Sequence, residues 1–208
     1  MAVTAQSEAT ATLNDRRSEI IATARSVLAE KGPGALTMRH IADLVGIKLA
    51  SLQYHFPNKA ALIEALSADV VAHYEEHLEQ VATEHEEDPE LYLAELIRWI
   101  RSEKDGEWRL IHRLEVQFWA MALTDETVAK AQVEFFAGYR ELLADIIRRI
   151  NPELTELQAL QRGALMSVMI DGCCLIENDA LPRDSVLSQL TDELIKTALE
   201  LAKRPAEC

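Results

Sequence analysis

The sequence predicts an all-α protein of about nine helices in two domains. Between its six prolines, apolar residues recur at helical spacing, and no stretch alternates apolar and polar residues as a half-buried strand does. Apolar residues make up 49% of the 208-residue chain, which is ample for a core. From the positions of the helical patterns we expect a disordered tail at 1–13, a small domain at 14–60 and a larger one at 61–204.

The first helix is predicted to begin at Asn14 or Asp15 and to end at the Gly-Pro-Gly segment 32–34. Either side chain can accept a hydrogen bond from a free backbone N–H of the first turn. One stripe of the helix is apolar and comprises Ile20, Ile21, Ala24, Val27 and Leu28. We expect this stripe to brace the two short helices that follow.

Two short helices joined by a tight turn are predicted between Leu36 and Lys59. Thr37 can cap the first helix, and Gly46, which can take a positive φ, suits its end. The apolar positions are Met38, Ile41, Ala42 and Val45 in the first helix and Ile47, Leu52 and Phe56 in the second. Such a pair is typical of a helix-turn-helix that places its second helix in the major groove of DNA. The alternative is an ordinary packed helix pair.

The outward face of the second helix combines hydrogen-bond donors and acceptors with small apolar groups, which suit base edges and phosphates. Its residues are Lys48, Leu49, Ala50, Ser51, Gln53, Tyr54 and His55. Those expected to read or flank the major groove are Lys48, Gln53 and Tyr54. Those expected mainly on phosphates are Thr37, His55 and Lys59. Arg39 could serve either role.

The charge distribution favours a polyanionic partner for the N-terminal domain. Residues 16–59 hold seven Lys and Arg against three Asp and Glu, whereas the whole chain holds 21 against 35. Such asymmetry suits one end that approaches nucleic acid while the remainder is repelled from it. We therefore predict that the domain at 14–60 binds double-stranded DNA.

The segments TMRHIADLVGI and LQYHFPNKAAL resemble the DNA-binding end of the TetR family of bacterial repressors. The match covers roughly Asp15 to Leu66, with the capping Thr37 and the turn Gly46 in register. Ala50 stands where glycine is frequent in the family, and Gln53 where tyrosine is. The resemblance implies a repressor that binds a palindromic operator as a homodimer and is released by a small-molecule effector.

Six helices are predicted after the helix-turn-helix, at 58–85, 90–103, 108–123, 125–150, 156–178 and 184–203. The helix at 156–178 is apolar on most of its circumference. The larger domain is too small to bury such a helix on all sides. We therefore expect a subunit interface there, and the resemblance implies that the last two helices form it. The alternative is a central helix buried within the monomer.

All three tryptophans lie in two successive helices of the larger domain. Residues expected to line an effector cavity are Trp99, Trp108, His112, Glu115, Phe118, Trp119, Phe135, Tyr139, Met166 and Met169. We expect a small, largely apolar effector, and Glu115 with the aromatic rings would suit a positive charge on it. The stretch RLEVQFWAMALTDETVAKA resembles the subgroup of choline-responsive betaine regulators. Ordinary core packing is the alternative explanation of the aromatic residues.

A different class of function is suggested by His73 and His77, which with Glu76 fit the H-x-x-E-H pattern of the inverted zinc peptidases. This alternative is a helical metal-binding protein or a metal-dependent hydrolase. The simpler interpretation of the same residues is a solvated polar face, and we favour it. No glycine pattern indicates a nucleotide loop, and no side chain is marked as a nucleophile. We predict a protein without catalytic residues, resident metal or cofactor.

The first dozen residues lack the basic start and the apolar run of a signal peptide. No later segment is long and uncharged enough to span a bilayer. We expect a cytoplasmic protein without a membrane partner.

Overall fold

The computed structural model describes residues 2–85, 87–101, 106–176 and 189–206, and these residues form nine α-helices and no strand. The helices are α1 Ala2–Lys31, α2 Met38–Val45, α3 Leu49–His55, α4 Lys59–Glu84, α5 Pro89–Arg101, α6 Gly106–Ala122, α7 Glu126–Ile150, α8 Glu156–Ile176 and α9 Leu190–Lys203. The all-α prediction is confirmed.

The helix boundaries differ from the prediction at the start of the chain. Helix α1 begins at Ala2 and runs through the tail that we expected at 1–13. The first residues contain no Gly or Pro and several alanines, which favour a helix, so the cap expected at Asn14 or Asp15 is not needed. The ends predicted for the last two helices at Asn178 and Asp184 lie outside the described residues.

The chain forms two compact units, Met1–Ala72 with Asp105–Gln132 and His73–Lys104 with Val133–Cys208. Helices α4 and α7 therefore each contribute to both units. The domain boundary at residues 60 and 61 stays a prediction, because a compact unit and a functional domain need not coincide.

In the first unit, α1 packs against α2 and α6, and α2 packs against α3. Its fully buried side chains include Ile20, Leu28, Leu36, Ile41, Leu52, Leu62, Leu66, Ile111 and Phe118. Two glycines with positive φ end helices here, Gly32 at φ 74° after α1 and Gly46 at φ 73° after α2. This conformation strongly favours glycine, so the tight turns predicted from the sequence are formed as expected.

In the second unit, α9 packs its apolar face on α5 and α8. The buried side chain of Arg162 on α8 donates hydrogen bonds to the carbonyl oxygens of Leu201, Ala202 and Arg204 at 2.6–3.2 Å. Because the last carbonyls of a helix have no partner within it, these bonds fix the end of α9.

Helices α7 and α8 approach each other closely at Gly163. A Cβ at this position would lie 2.9 Å from the carbonyl oxygen of Arg140 and 3.2 Å from the backbone nitrogen of Ala144, so the contact needs glycine. By contrast, a Cβ at Gly172 would meet nothing within 4 Å. No described helix is long and apolar enough to cross a membrane.

Candidate nucleic-acid interface

Helix α2 is capped as the sequence predicts. Thr37 has an extended backbone, and its Oγ1 accepts a hydrogen bond from the backbone N–H of His40 at 3.2 Å. The helix buries Ile41 and Ala42, and Gly46 closes it with backbone N–H contacts to the carbonyls of its last turn. Arg39 and Thr37 are exposed on its outer side.

Helix α3 has one buried side and one exposed side. Leu52 is fully buried, and Phe56, which follows the helix, is 2% exposed. Of the residues predicted on the outward face of this helix, the structure leaves exposed Lys48, Ala50, Ser51, Gln53 and Tyr54. Tyr54 is 74% exposed, which leaves its ring accessible to a partner molecule.

Two residues predicted on the outward face of the second short helix are less accessible than expected. Leu49 and His55 are half-buried, and the His55 ring stands edge-on to the Tyr54 ring with 5.5 Å between centroids. His55 therefore contacts the neighbouring ring and is partly exposed to solvent.

Two side chains close to the end of α3 hold the start of α4. Oδ1 of Asn58 accepts a hydrogen bond from the backbone N–H of Ala61 at 2.9 Å, which caps the helix. Nζ of Lys59 donates to the carbonyl oxygen of Pro33 at 3.1 Å, in the turn after α1. Lys59 is exposed, so its charge remains available at the surface where we predicted a phosphate contact.

Arg17 is a residue of this surface that the sequence analysis missed. Its guanidinium carbon lies 5.0 Å from the centroid of the Phe56 ring, while the side chain stays exposed. Such a cation–π contact holds a positive charge beside the end of α3. Its basic character alone could have suggested it, because nothing in the sequence spacing joins Arg17 to Phe56.

The predicted effector residues are divided between the two compact units. On α6 of the first unit, Phe118 is 1% exposed in the core, and His112, Glu115 and Trp119 are half-buried. Trp108 lies on the same helix, and its side chain is outside the described set. The structure therefore does not gather the predicted residues into one cluster within either unit.

In the second unit, three predicted residues join two others in an aromatic cluster formed by Tyr74, His77, Trp99, Phe135 and Tyr139. Tyr74 meets Trp99 and Phe135 at centroid distances of 5.8 and 5.9 Å. The His77 ring stacks on Trp99 at 5.3 Å, and Phe135 stacks on Tyr139 at 6.4 Å. The sequence analysis named Trp99, Phe135 and Tyr139 as effector residues but not Tyr74 and His77, and their role in effector binding stays a prediction.

Two predicted effector residues on α8 belong to the core of this unit. Met166 is fully buried, and Met169 is partly buried against the same apolar cluster. Their packing within the unit explains these side chains without a ligand, which was the alternative we considered.

The metal-dependent alternative is not supported. Besides stacking on Trp99, His77 places its Nδ1 3.0 Å from the carbonyl oxygen of His73, so its ring is engaged within the helix bundle. Among the described residues, no group of three or more His, Cys, Asp or Glu side chains is placed to hold a metal ion.

Burial raises the pKa of two groups in the second unit. The pKa of Asp171 on α8 rises to about 7, because burial penalises its charged form. Burial also raises the pKa of Tyr92, and the charge of Arg149 opposes this shift. Asp171 therefore changes charge near neutral pH, which the sequence pattern gave no reason to expect.

The fold and the exposed face of α3 define a helix-turn-helix DNA-binding protein. Residues 20–66 match the family model described as bacterial regulatory proteins, tetR family, and residues 89–199 match that of the BetI-type transcriptional repressor, C-terminal. The chain belongs to the TetR family of bacterial transcriptional repressors, whose members bind DNA operators and small-molecule effectors. It is a regulator and not an enzyme.

Proteins that are similar to this chain over most of its length agree with this assignment. The sequence is 26% identical over 197 residues to the transcriptional regulator TtgR of Pseudomonas putida, covering 91% of this chain and 92% of TtgR. A transcriptional regulator from Rhodococcus sp. Rha1 has the same fold, with a TM-score of 0.76, 23% identity and coverage of 91% of this chain and 99% of that chain.

A third similar structure carries a ligand. It is a transcriptional regulator from Saccharomonospora viridis in complex with choline, with a TM-score of 0.71 and 20% identity, covering 88% of this chain and 95% of that chain. At this identity the likeness shows the fold.

Proposed function

We propose that this repressor binds a palindromic operator as a homodimer and releases it when a small, largely apolar molecule binds the second unit. One observation carries the DNA-binding part of the proposal: α3 buries Leu52 and exposes Lys48, Gln53 and Tyr54 on the side away from the core. Side chains held on a rigid short helix can enter the major groove without a rearrangement. Because DNA is its partner, we assign the protein to the cytoplasm.

The residues around α3 have distinct proposed roles. Gln53 can form a pair of hydrogen bonds with one base edge, and Lys48 and Tyr54 flank it. Thr37, His55 and Lys59 hold the DNA backbone, helped by the partial positive charge at the start of α4. Arg39, on the exposed side of α2, adds a further positive charge.

Substitutions in α3 and α4 should separate base reading from phosphate binding. Gln53→Ala should cost about 1–3 kcal/mol of operator affinity and relax the preference at one base pair. Lys59→Ala should weaken binding to all duplexes alike and reduce the slope of log affinity against log salt by about one. Fluorescence anisotropy with the duplex selected by the parent protein measures both. Gln80→Ala, far along α4, is the control. Unchanged binding in both test variants would refute these roles.

The dimer is proposed from an apolar stripe on α8 that is exposed in the described part of the chain. Leu157, Leu165 and Val168 recur at helical spacing and are 64%, 50% and 68% exposed. Helix α9 has already packed its apolar face within the protomer, so its outer, charged side is what remains for a partner. A second copy of the chain is the expected cover for this stripe, because a palindrome is read by a two-fold dimer.

A charge on the α8 stripe should split the dimer. Val168→Glu would place a carboxylate in an apolar interface without a counter-charge, and sedimentation should then report monomers that fail to bind the operator. Val133→Glu is the matched control, because Val133 is 66% exposed on α7 and lies off the stripe. A dimeric Val168→Glu protein would contradict the assignment of α8.

The effector is proposed to bind at the aromatic cluster formed by Tyr74, His77, Trp99, Phe135 and Tyr139. Three helices, α4, α5 and α7, bring these rings together at centroid distances of 5.3–6.4 Å. Ring faces and edges of this kind accept apolar groups, and their faces attract cations. The choline complex of the similar S. viridis protein supports an ammonium compound as the first candidate.

Choline should release the operator from this protein, and its neutral isostere 3,3-dimethyl-1-butanol should do so more weakly. Trp99→Leu should raise the choline concentration needed for release by about threefold to thirtyfold, because the substitution removes one cation–π contact. Trp119→Leu, in the other unit, is the control. If choline releases the operator, and Trp99→Leu responds like the parent while Trp119→Leu or Glu115→Ala does not, the site lies around α6 instead. If choline does not release the operator, the proposal of a cationic effector is wrong.

A further inference from the structure

An ion pair within the first unit joins α1 to α4 at a point away from the reading helix. Nη1 of Arg25 lies 3.1 Å from Oδ2 of Asp69, a pair separated by 44 residues in the sequence. The side chains are only 13% and 25% exposed. An ion pair shielded in this way is less screened by salt than a surface pair and holds its geometry more firmly.

Apolar residues next to the pair along both helices are buried in the first unit. Ala24 and Leu28 of α1 and Leu66 of α4 are fully buried, and Val70 is 5% exposed. The ion pair thus connects two helix segments that each bury apolar side chains in the first unit. By comparison, the ion pair between Lys203 and Glu90 in the second unit has side chains about half exposed.

A second contact attaches the beginning of α4 to the end of α1. As described above, Lys59 donates to the carbonyl oxygen of Pro33, and Lys59 is the first residue of α4. Asp69 follows ten residues later, which is about 15 Å along a helix. Two attachment points at this separation, with the fully buried Leu62 and Leu66 between them, restrict the direction of α4 more than either point would alone.

The direction of α4 in turn limits where α3 can lie. Helix α3 ends at His55 and α4 begins at Lys59, so only three residues join them. A change in the direction of α4 would therefore change the direction in which this short connection enters it, and with it the orientation of α3.

We propose that the Arg25–Asp69 ion pair is a positioning contact that holds α4 against α1 and thereby keeps the recognition helix α3 in its DNA-reading orientation. Neither residue touches DNA in this proposal. The inference rests on the DNA binding proposed above, so affinity of the parent protein for its own selected duplex is measured first. A parent that selects no duplex contradicts the proposed function, whereas the variants below test the ion pair alone.

Asp69→Asn gives the sharpest test, because positioning and simple electrostatics predict opposite results. Removing a negative charge from the DNA-binding unit should tighten binding to a polyanion if charge alone matters. If the ion pair positions α3, the variant should instead bind the operator roughly threefold to tenfold more weakly. Glu64→Gln, which removes one negative charge from an exposed position of the same helix, is the matched control and should bind as well as the parent or better.

The double variant Arg25→Gln/Asp69→Asn completes a double-mutant cycle with the two single variants. It should bind no more weakly than Arg25→Gln alone, because both single changes remove the same contact. The salt dependence of binding should stay that of the parent in all of these variants. Thermal unfolding of each free protein establishes that affinity is compared among folded proteins. Should Asp69→Asn fail to fold, Arg25→Lys, which keeps the charge and loses the guanidinium geometry, should show the same weakening.

Three results would overturn the proposal. Tighter binding by Asp69→Asn would mean that only charge matters. Independent effects of the two changes in the double variant would mean that the residues do not act as a pair. A salt slope reduced by about one in Arg25→Gln would make Arg25 a direct phosphate contact.

Discussion

The burial of one side of the helix-turn-helix is the constraint on which the DNA-reading surface depends. Leu36, Ile41 and Leu52 are fully buried, and Phe56 is nearly so. Because Leu52 and Phe56 hold one side of α3 in the core, Lys48, Gln53 and Tyr54 on its other side face solvent. The packing of the apolar side chains of α3 thus determines which of its polar side chains face solvent. The contacts of α4 with Pro33 and Arg25 hold the helix that follows α3.

The N-terminal unit could be predicted from its sequence because local signals decide its structure. A capping Thr37, a positive-φ Gly46 and short apolar patterns determine where helices begin, end and pack. Contacts between distant residues left no such signal. The attachment of Arg25 to Asp69 and the cation–π contact of Arg17 with Phe56 depend on how whole helices pack, and spacing along one helix does not report this.

The candidate effector residues illustrate the same limit. Helical spacing placed Trp108, His112, Glu115 and Trp119 on one stripe of a single helix, but a site needs residues from several helices. The sequence analysis named Trp99, Phe135 and Tyr139 because the tryptophans and several other aromatic residues lie in the larger domain. It gave no sign that Tyr74 contacts both Trp99 and Phe135 or that His77 stacks on Trp99. The raised pKa of Asp171 likewise reflects burial, which no sequence motif records.

The central claim is that two copies of this chain read a symmetric DNA site with their α3 helices. Hydroxyl-radical footprinting of the protein on a duplex selected from a random pool tests it most directly. The claim predicts two protected stretches, related by two-fold symmetry, with centres separated by roughly 10 base pairs or a multiple of that distance. A single asymmetric footprint, or a pool from which no sequence is selected, would contradict it.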